Sequence, residues 1–295
     1  MTRAVVLGGG GPVGIGWEAG LLVGLAAEGV NIDGADAIFG TSAGSFVGAQ
    51  LALGVDLAEV VSALATTRAV VASQSGSTAM AERMQQLMAA ITKAALSEGA
   101  PEEARRAIGR LSLEATVPTE EEFLGFFAVL EHSPWPERFA CTAVETATGE
   151  FVVWSQGSGV DLRHAVASSC SVPCVYPPVT IGGRRYMDGG MRSALNADIA
   201  GGHECVLVVS VMMLTLPEGI SNPLFDAFLG GMAGELEMLR SSGSAVEVIE
   251  PDQEFLEISG WGTSLMDSSK ALAAYEVGIG QGVAEAQRIA RLWNR

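Results

Sequence analysis

The sequence predicts an α/β protein of three layers, in which helices cover both faces of a mainly parallel central sheet. Three short apolar runs carry this prediction: Ala4–Leu7, Ala37–Phe39 and Cys205–Val211. Continuous apolar runs of this length are typical of strands that are buried on both faces of a parallel sheet. The first two runs lead through glycines into the helical patterns of Gly14–Glu28 and Ala43–Leu53. Repeated units of strand, turn and helix form sheets of this kind.

The remaining patterns fit the same domain. The stretch from about residue 56 to residue 131 has a helical character, and we interpret it as a helical insertion. Within it, Met80–Leu96 carries a Met-rich apolar stripe that indicates either a core face or a surface in contact with lipid. No linker or internal repeat divides the chain, so residues 1–295 are expected to form a single domain. Further predicted elements are the strand pairs Arg138–Val144 with Phe151–Trp154 and Val179–Ile181 with Arg184–Met187, and a helix over Ser268–Trp293.

The composition argues against several classes of protein. Of the 295 residues, 48% are hydrophobic and 17% are charged, which excludes a disordered chain. The 17 Lys and Arg residues against 34 Asp and Glu residues give a net charge of −17, and an acidic chain is a poor partner for nucleic acid. The same charge is repelled by anionic lipid, so contact with a membrane surface is expected to be transient and to need a local patch.

The cysteines and histidines indicate neither a disulfide framework nor a metal site. Cys170 and Cys174 do not have the spacing of a zinc or redox pair, and the three histidines are far apart in sequence. We therefore expect no metal and no cofactor. The amino-terminal segment lacks the features of a targeting signal, and no apolar run reaches the roughly 18 residues of a membrane span. These observations predict a cytoplasmic protein.

The first candidate for chemistry is the sequence Gly40-Thr41-Ser42-Ala43-Gly44, a G-x-S-x-G motif. The motif alone is weak, but here it follows a predicted strand and begins a predicted helix. That context forces the serine into a tight turn with its hydroxyl at the carboxyl edge of the sheet. Gly40 and Gly44 are needed because side chains there would collide with the neighbouring strand and helix. A strand-to-helix connection capped by a serine is the alternative interpretation.

The second candidate is the glycine-rich stretch Gly8–Gly14, directly after the first predicted strand. It contains G-x-G-x-x-G at Gly9, Gly11 and Gly14, the fingerprint of a nucleotide-binding oxidoreductase. That fold needs an acidic residue at the end of the second strand, where this chain has Ser42. A glycine loop also offers backbone N–H groups to a developing oxyanion. Pro12 has no N–H, so the candidate donors are Gly9, Gly10 and Gly11, joined by Ala43.

The third candidate is Asp188, followed by Gly189 and Gly190, after the predicted strand Arg184–Met187. An ordinary Asp-Gly turn explains it equally well in isolation. Ser42, Asp188 and His203 follow the chain order of an α/β-hydrolase triad, but in that fold the serine follows several strands rather than the second. We therefore predict that Asp188 alone serves Ser42 as the base, at a partly desolvated site that raises its basicity.

The three motifs in this order resemble the patatin-like phospholipase family. The stretch Ala165–Pro178 is also similar to the segment that precedes the family's aspartate strand. The resemblance implies a three-layer α/β/α fold and a Ser–Asp dyad that hydrolyses acyl esters of lipids through an acyl-enzyme. By matching motifs, Ser42 corresponds to the nucleophile, Asp188 to the base, and the glycine loop to the oxyanion donors.

Two positions depart from the family pattern. Val13 stands where the family usually has Arg or Lys, which makes neutral acyl esters at least as good candidates as phospholipids. The Asn-x-Pro stretch of the family appears here as Asn196-Ala197-Asp198. A non-catalytic module that binds acyl groups or a protein remains open beside the hydrolase and the oxidoreductase. For a bound acyl chain, the Met80–Ile91 stripe or the apolar cluster between Leu224 and Met232 could line a groove, although core packing explains both.

Overall fold

Eight strands form one sheet in the part of the chain that the computed structural model describes, residues 1–72, 77–95, 100–215 and 223–294. The strands are β1 (Arg3–Leu7), β2 (Ala37–Gly40), β3 (Phe139–Glu145), β4 (Phe151–Ser155), β5 (Val179–Ile181), β6 (Arg184–Asp188), β7 (Cys205–Val209) and β8 (Ala245–Ile249). Their order is β5-β6-β3-β2-β1-β7-β8, and β4 pairs with β3. The pairs from β3 through β2, β1 and β7 to β8 are parallel, whereas β4, β5 and β6 pair antiparallel. The predicted fold class is confirmed.

Ten α-helices surround this sheet in the described residues. They are α1 (Gly11–Ala27), α2 (Ala43–Leu53), α3 (Leu57–Ala72), α4 (Ser77–Ala95), α5 (Pro101–Glu114), α6 (Glu120–Gly125), α7 (Leu162–Ser169), α8 (Pro223–Ser241), α9 (Gln253–Ile258) and α10 (Ala271–Trp293). Helices α3 to α6 occupy the stretch for which the sequence predicted a helical insertion. That this stretch is an insertion into a single domain stays a prediction.

The hydrophobic core lies on both faces of the sheet, and β1 shows why. Successive side chains of a strand point to opposite faces. Val5 and Leu7 therefore belong to the larger cluster, which includes residues of α1, α2, α7 and α10. Ala4 and Val6 belong to a second cluster, which includes Met232 and other residues of α8. A strand that is apolar on both faces thus accounts for the three layers.

Helices α1 and α10 pack with unusually close backbones. An added Cβ at Gly16, Gly20 or Gly24 of α1 would overlap backbone carbonyl groups of α10, and one at Gly278 or Gly282 of α10 would overlap the backbone of α1. Small residues are needed at these positions because a side chain would separate the two helices. The glycines in the C-terminal helical pattern are therefore part of one continuous helix.

The Met-rich stripe of α4 packs into the core only in part. Leu87 is buried in a small cluster with Ile108, while Ile91 is half-buried and Met88 is exposed. The side chains of Met80 and Met84, and all of Leu96, lie outside the described residues.

Candidate active site

Ser42 occupies a strained turn between β2 and α2. Its backbone has φ 53° and ψ −116°, a conformation that non-glycine residues rarely adopt. An added Cβ at Gly40 would overlap the backbone at Ser45, and one at Gly44 would overlap the backbone of Leu7. The turn can therefore fit against both β1 and the first turn of α2 only if positions 40 and 44 are glycine. The backbone geometry is that of the strand–turn–helix connection on which nucleophile elbows are built, at the carboxyl edge of the sheet.

The segment around α7 holds this turn in place. The N–H of Ser42 donates to Oγ of Ser169 at 3.0 Å. The carbonyl oxygen of Ser42 accepts from the hydroxyl of Ser45 at 2.7 Å and from the thiol of Cys170 at 3.0 Å. Two of these three partners, Ser169 and Cys170, lie in the stretch 165–178 that resembles the family, although no single residue of that stretch was predicted to contact Ser42.

Asp188 is the last residue of β6 and lies beside Ser42. It pairs with Ala143 of β3, and its own N–H donates to the carbonyl oxygen of Ser171 at 2.9 Å. Its Oδ1 accepts a hydrogen bond from the N–H of Gly190 at 2.7 Å, and the Ser42 side chain lies near enough to lower the pKa of the carboxyl. The structure therefore brings together the two side chains that the sequence proposed as a dyad.

Burial dominates the acid–base behaviour of Asp188, which is only 2% exposed. Loss of hydration disfavours the charged form and raises the pKa of this carboxyl from 3.8 to about 7, against the opposing effect of the hydrogen bonds from Ser42 and Gly190. A carboxylate with a pKa near neutrality accepts a proton from a hydroxyl more readily than an exposed aspartate does.

The glycine loop supplies fewer donors than its sequence suggests. The N–H of Gly9 donates to the carbonyl oxygen of Ala194 at 2.8 Å, so it is already engaged. The N–H groups of Gly10, Gly11 and Ala43 make no hydrogen bond to any described residue. Gly11 and Ala43 begin α1 and α2, where the helix dipoles favour negative charge. Three free donors therefore remain of the four that the sequence named.

Asn196 ties three segments of the site together, a role the sequence did not predict. Its side-chain amide donates to Thr41 Oγ1 at 3.1 Å, to the Gly189 carbonyl at 3.2 Å and to the Ser193 carbonyl at 2.8 Å. Thr41 Oγ1 also lies 2.9 Å from Thr142 Oγ1, which connects the ends of β2 and β3. One buried amide thus fixes the loop after Asp188 against the strand end that precedes Ser42.

Gly189 is needed at its position for a steric reason. An added Cβ there would overlap the hydroxyl and backbone of Thr142, and one at Gly190 would lie 2.9 Å from the Asp188 carboxylate. The D-G-G motif therefore lets β3 and the loop after β6 approach each other closely. An Asp-Gly turn without this contact would tolerate larger residues.

A buried acid lies behind the glycine loop. Glu18 of α1 is fully buried, and neither of its carboxylate oxygens has a hydrogen-bond partner among the described residues. Burial raises its pKa well above the usual range, and the nearby N–H of Gly8, which donates to Val209, opposes this only weakly. Burial therefore favours the neutral form of Glu18 in the folded protein.

An apolar pocket opens beside Ser42. Its cavity volume is about 30 Å³. The lining comprises Gly11, Pro12, Ile15, Ser42, Ala43, Phe46, Leu64, Phe123, Phe126, Phe127, Cys170, Val172, Tyr176 and Met266. Among the residues that the structure describes, this lining includes no charged side chain and no residue of the Met80–Ile91 stripe or of the Leu224–Met232 cluster. The side chains of Leu224 and Phe225 lie outside the described residues.

The histidines take no part in this site. His203 precedes β7, so it lies at the amino edge of the parallel strands, opposite to Ser42, and its Nδ1 lies 2.9 Å from the carbonyl oxygen of Ala200. His164 contacts Asp161 at 2.7 Å, and the His132 side chain is exposed. Val13, where the family has a cation, is fully buried in the first turn of α1.

The fold defines an α/β protein with a mostly parallel sheet, and Ser42 lies in a tight turn between a strand and a helix of it. A model of the family described as Patatin-like phospholipase matches residues 5–200. The chain belongs to this family, whose members are lipid acyl hydrolases.

Among solved structures, the crystal structure of VipD from Legionella pneumophila is similar, with a TM-score of 0.41 and 12% sequence identity over 97% of this chain and 67% of that chain. A comparison with curated proteins found no match. In the described residues, no helix has the length and apolar character that crossing a membrane requires.

Proposed function

We propose that the protein is a serine acyl hydrolase that cleaves carboxylic esters through a Ser42–Asp188 dyad. One observation carries the proposal above the others. The Ser42 side chain, in its strained turn, lies beside a buried carboxylate whose pKa is raised to about 7. Membership of the family supports the reaction class, a lipid acyl hydrolase.

The proposed reaction has two steps. In the first, Asp188 accepts the Ser42 proton as Oγ attacks the ester carbonyl carbon, and the departing alcohol then takes that proton. In the second, Asp188 accepts a proton from water as the water attacks the acyl-enzyme, and the carboxylic acid leaves while Ser42 regains its proton. In both steps the N–H groups of Gly10, Gly11 and Ala43 are the donors that we assign to the oxyanion.

The glycine loop favours a neutral acyl ester over a phospholipid. A phosphate head group is usually held by Arg or Lys. Val13 removes the cation that the family usually places in the glycine loop. We therefore propose that recognition rests on the acyl group, and that contact with a membrane surface is at most transient.

A fluorophosphonate probe tests the proposal directly, because it labels only an activated serine. The wild-type chain should be labelled and should hydrolyse p-nitrophenyl butyrate. Ser42→Ala should lose both properties and keep its fold, whereas Ser241→Ala, a matched change on α8, should keep both. Labelling that persists in Ser42→Ala would refute the assignment of the nucleophile.

The same experiment separates the alternatives. A wild-type chain that binds a fatty acid but resists the probe would be a non-catalytic acyl-binding module. A chain that resists the probe and binds a nicotinamide dinucleotide would be the oxidoreductase. For location we keep the cytoplasm as our proposal, supported by four cysteines that form no disulfide, as expected in a reducing compartment.

A further inference from the structure

The cavity beside Ser42 is small for a lipid acyl chain. An apolar protein cavity of about 150 Å³ binds one benzene molecule, and this cavity has about 30 Å³. It therefore has room for no more than a few methylene groups. A chain of eight or more carbons would need several times that space.

Aromatic side chains set this limit. Phe123 and Phe127 are almost completely buried, and their rings meet at 5.2 Å with an edge-to-face geometry. Phe123 stacks on Tyr176 at 4.6 Å, and Phe127 contacts Phe46 at 5.9 Å. Rings packed in this way have few alternative rotamers, so the wall does not yield as flexible methionines would.

Polar contacts fix the segment that carries these rings. Thr119 and Glu122 form a capping box at the start of α6. Glu120 accepts hydrogen bonds from the N–H of Thr180 at 2.5 Å and from its hydroxyl at 2.8 Å. At the other end, Arg163 donates to the Leu124 carbonyl at 3.2 Å. Enlarging the cavity by moving α6 would break contacts at both of its ends.

The direction of the cavity assigns it to the acyl side of the ester. Its lining includes Ser42 together with Gly11 and Ala43, two of the free N–H donors. A carbonyl oxygen held by those donors leaves the acyl chain directed into the cavity. Phe126 packs edge-on against Phe123 and Tyr176 and so belongs to the wall around the acyl chain, and the alcohol lies toward the partly exposed side beside Met266.

We infer that this pocket selects short acyl groups of about two to four carbons, so that the substrates are short-chain esters rather than long-chain lipids. The inference rests on the proposed function and names its substrate class. Each methylene that a pocket cannot accommodate lowers kcat/KM by about tenfold or more.

A series of p-nitrophenyl esters tests the inference on the full chain. With acetate, butyrate and octanoate, each below its micelle concentration, we expect kcat/KM for butyrate to exceed that for octanoate at least tenfold. Equal or better hydrolysis of octanoate would overturn the inference. A wild-type chain that hydrolyses none of the esters and resists the fluorophosphonate probe would instead refute the proposed function.

Two variants change the cavity in opposite directions. Phe126→Ala should raise the octanoate-to-butyrate ratio of kcat/KM by about tenfold. Val172→Trp should lower the butyrate-to-acetate ratio. Phe39→Ala is the matched control truncation. Phe39 is half-buried like Phe126, but it packs against the second hydrophobic cluster, which includes residues of α8, so this variant should keep both ratios within about twofold of the wild-type values. A folded Phe126→Ala with an unchanged ratio would count against the pocket, and Val172→Trp provides the test if Phe126→Ala does not fold.

Discussion

Replacing Asp188 by asparagine should stabilise the protein while it removes the proposed base. The wild-type carboxyl has a pKa of about 7 when folded and about 3.8 when unfolded. The folded state therefore holds a proton that the unfolded state releases, and stability falls as the pH rises from 3.8 to 7. The two pKa values differ by about 3.2 units. At 1.36 kcal/mol per unit, the wild type loses about 4 kcal/mol of its free energy of unfolding by the time the pH exceeds 7.

Asparagine has nearly the shape of aspartate and does not ionise. Its side-chain oxygen can still accept from the N–H of Gly190, and its amide can donate to the Ser42 hydroxyl, so the local hydrogen bonds remain. We expect Asp188→Asn to be more stable than the wild type. The difference in the free energy of unfolding should grow by about 3 kcal/mol between pH 5 and pH 8, because that much of the wild-type loss occurs in this pH range.

Urea unfolding of both chains at pH 5 and pH 8 measures this gain. Ser42→Ala serves as the control: it keeps the buried carboxyl and removes a side chain that lowers the pKa of Asp188, so its stability should fall with pH at least as steeply as that of the wild type. A gain that is the same at both pH values, or a loss at pH 8, would show that burial does not raise the pKa of Asp188 as described.

Four further predictions use the same structure. The kcat/KM of the wild type should rise with pH along a titration curve whose midpoint lies near pH 7, because Asp188 accepts a proton only when it is deprotonated. A pH profile of kcat/KM checks this. Gly44→Ala should fail to fold or lose several kcal/mol, whereas Gly54→Ala, with open space around it, should cost about 1 kcal/mol by urea unfolding. Asn196→Ala should cost about 2–4 kcal/mol, since buried acceptors lose their donor, and should lower kcat more than it raises KM. Glu18→Gln should match the wild type in stability near pH 4 and exceed it at pH 8, because the raised pKa of the Glu18 carboxyl makes wild-type stability fall with pH; equal stability at pH 8 would contradict this.

The sequence was sufficient for the parts of the fold that local patterns determine. Both predicted hairpins formed, β3 with β4 and β5 with β6, because alternating patterns and turn glycines specify them locally. The helix α1 begins at Gly11, three residues before the predicted start, since Pro12 suits a first turn. The strand β8 was not predicted, because Glu247 interrupts its apolar pattern at the edge of the sheet.

The candidate site also contains residues that local motifs predict and contacts that they do not. Ser42, Asp188 and the glycine loop were named because short motifs mark positions where backbones must approach closely. The bond from Gly9 to Ala194, the brace of Ser169 and the amide of Asn196 join segments more than a hundred residues apart or depend on one side-chain orientation. No local pattern encodes such pairings, so these contacts were out of reach of sequence reasoning.

The aromatic pocket shows a further limit. Phe123, Phe126 and Phe127 lie in the stretch that the sequence described only as helical, and their spacing alone does not say which element they face. The methionines of α4, which have the more regular spacing, were the predicted candidates for the acyl groove instead. Proximity to Ser42 depends on how α6 packs against α7, which is a property of the tertiary structure.

The close contact between α1 and α10 has a consequence for synthesis of the protein. The glycine loop leads into α1, and the helix that packs on the glycine face of α1 is translated much later, at residues 271–293. Until those residues have been translated, that face of α1 lacks its partner and the loop that α1 supports is not held. The loop that we assign to the oxyanion therefore takes its final position only after residues 271–293 have left the ribosome.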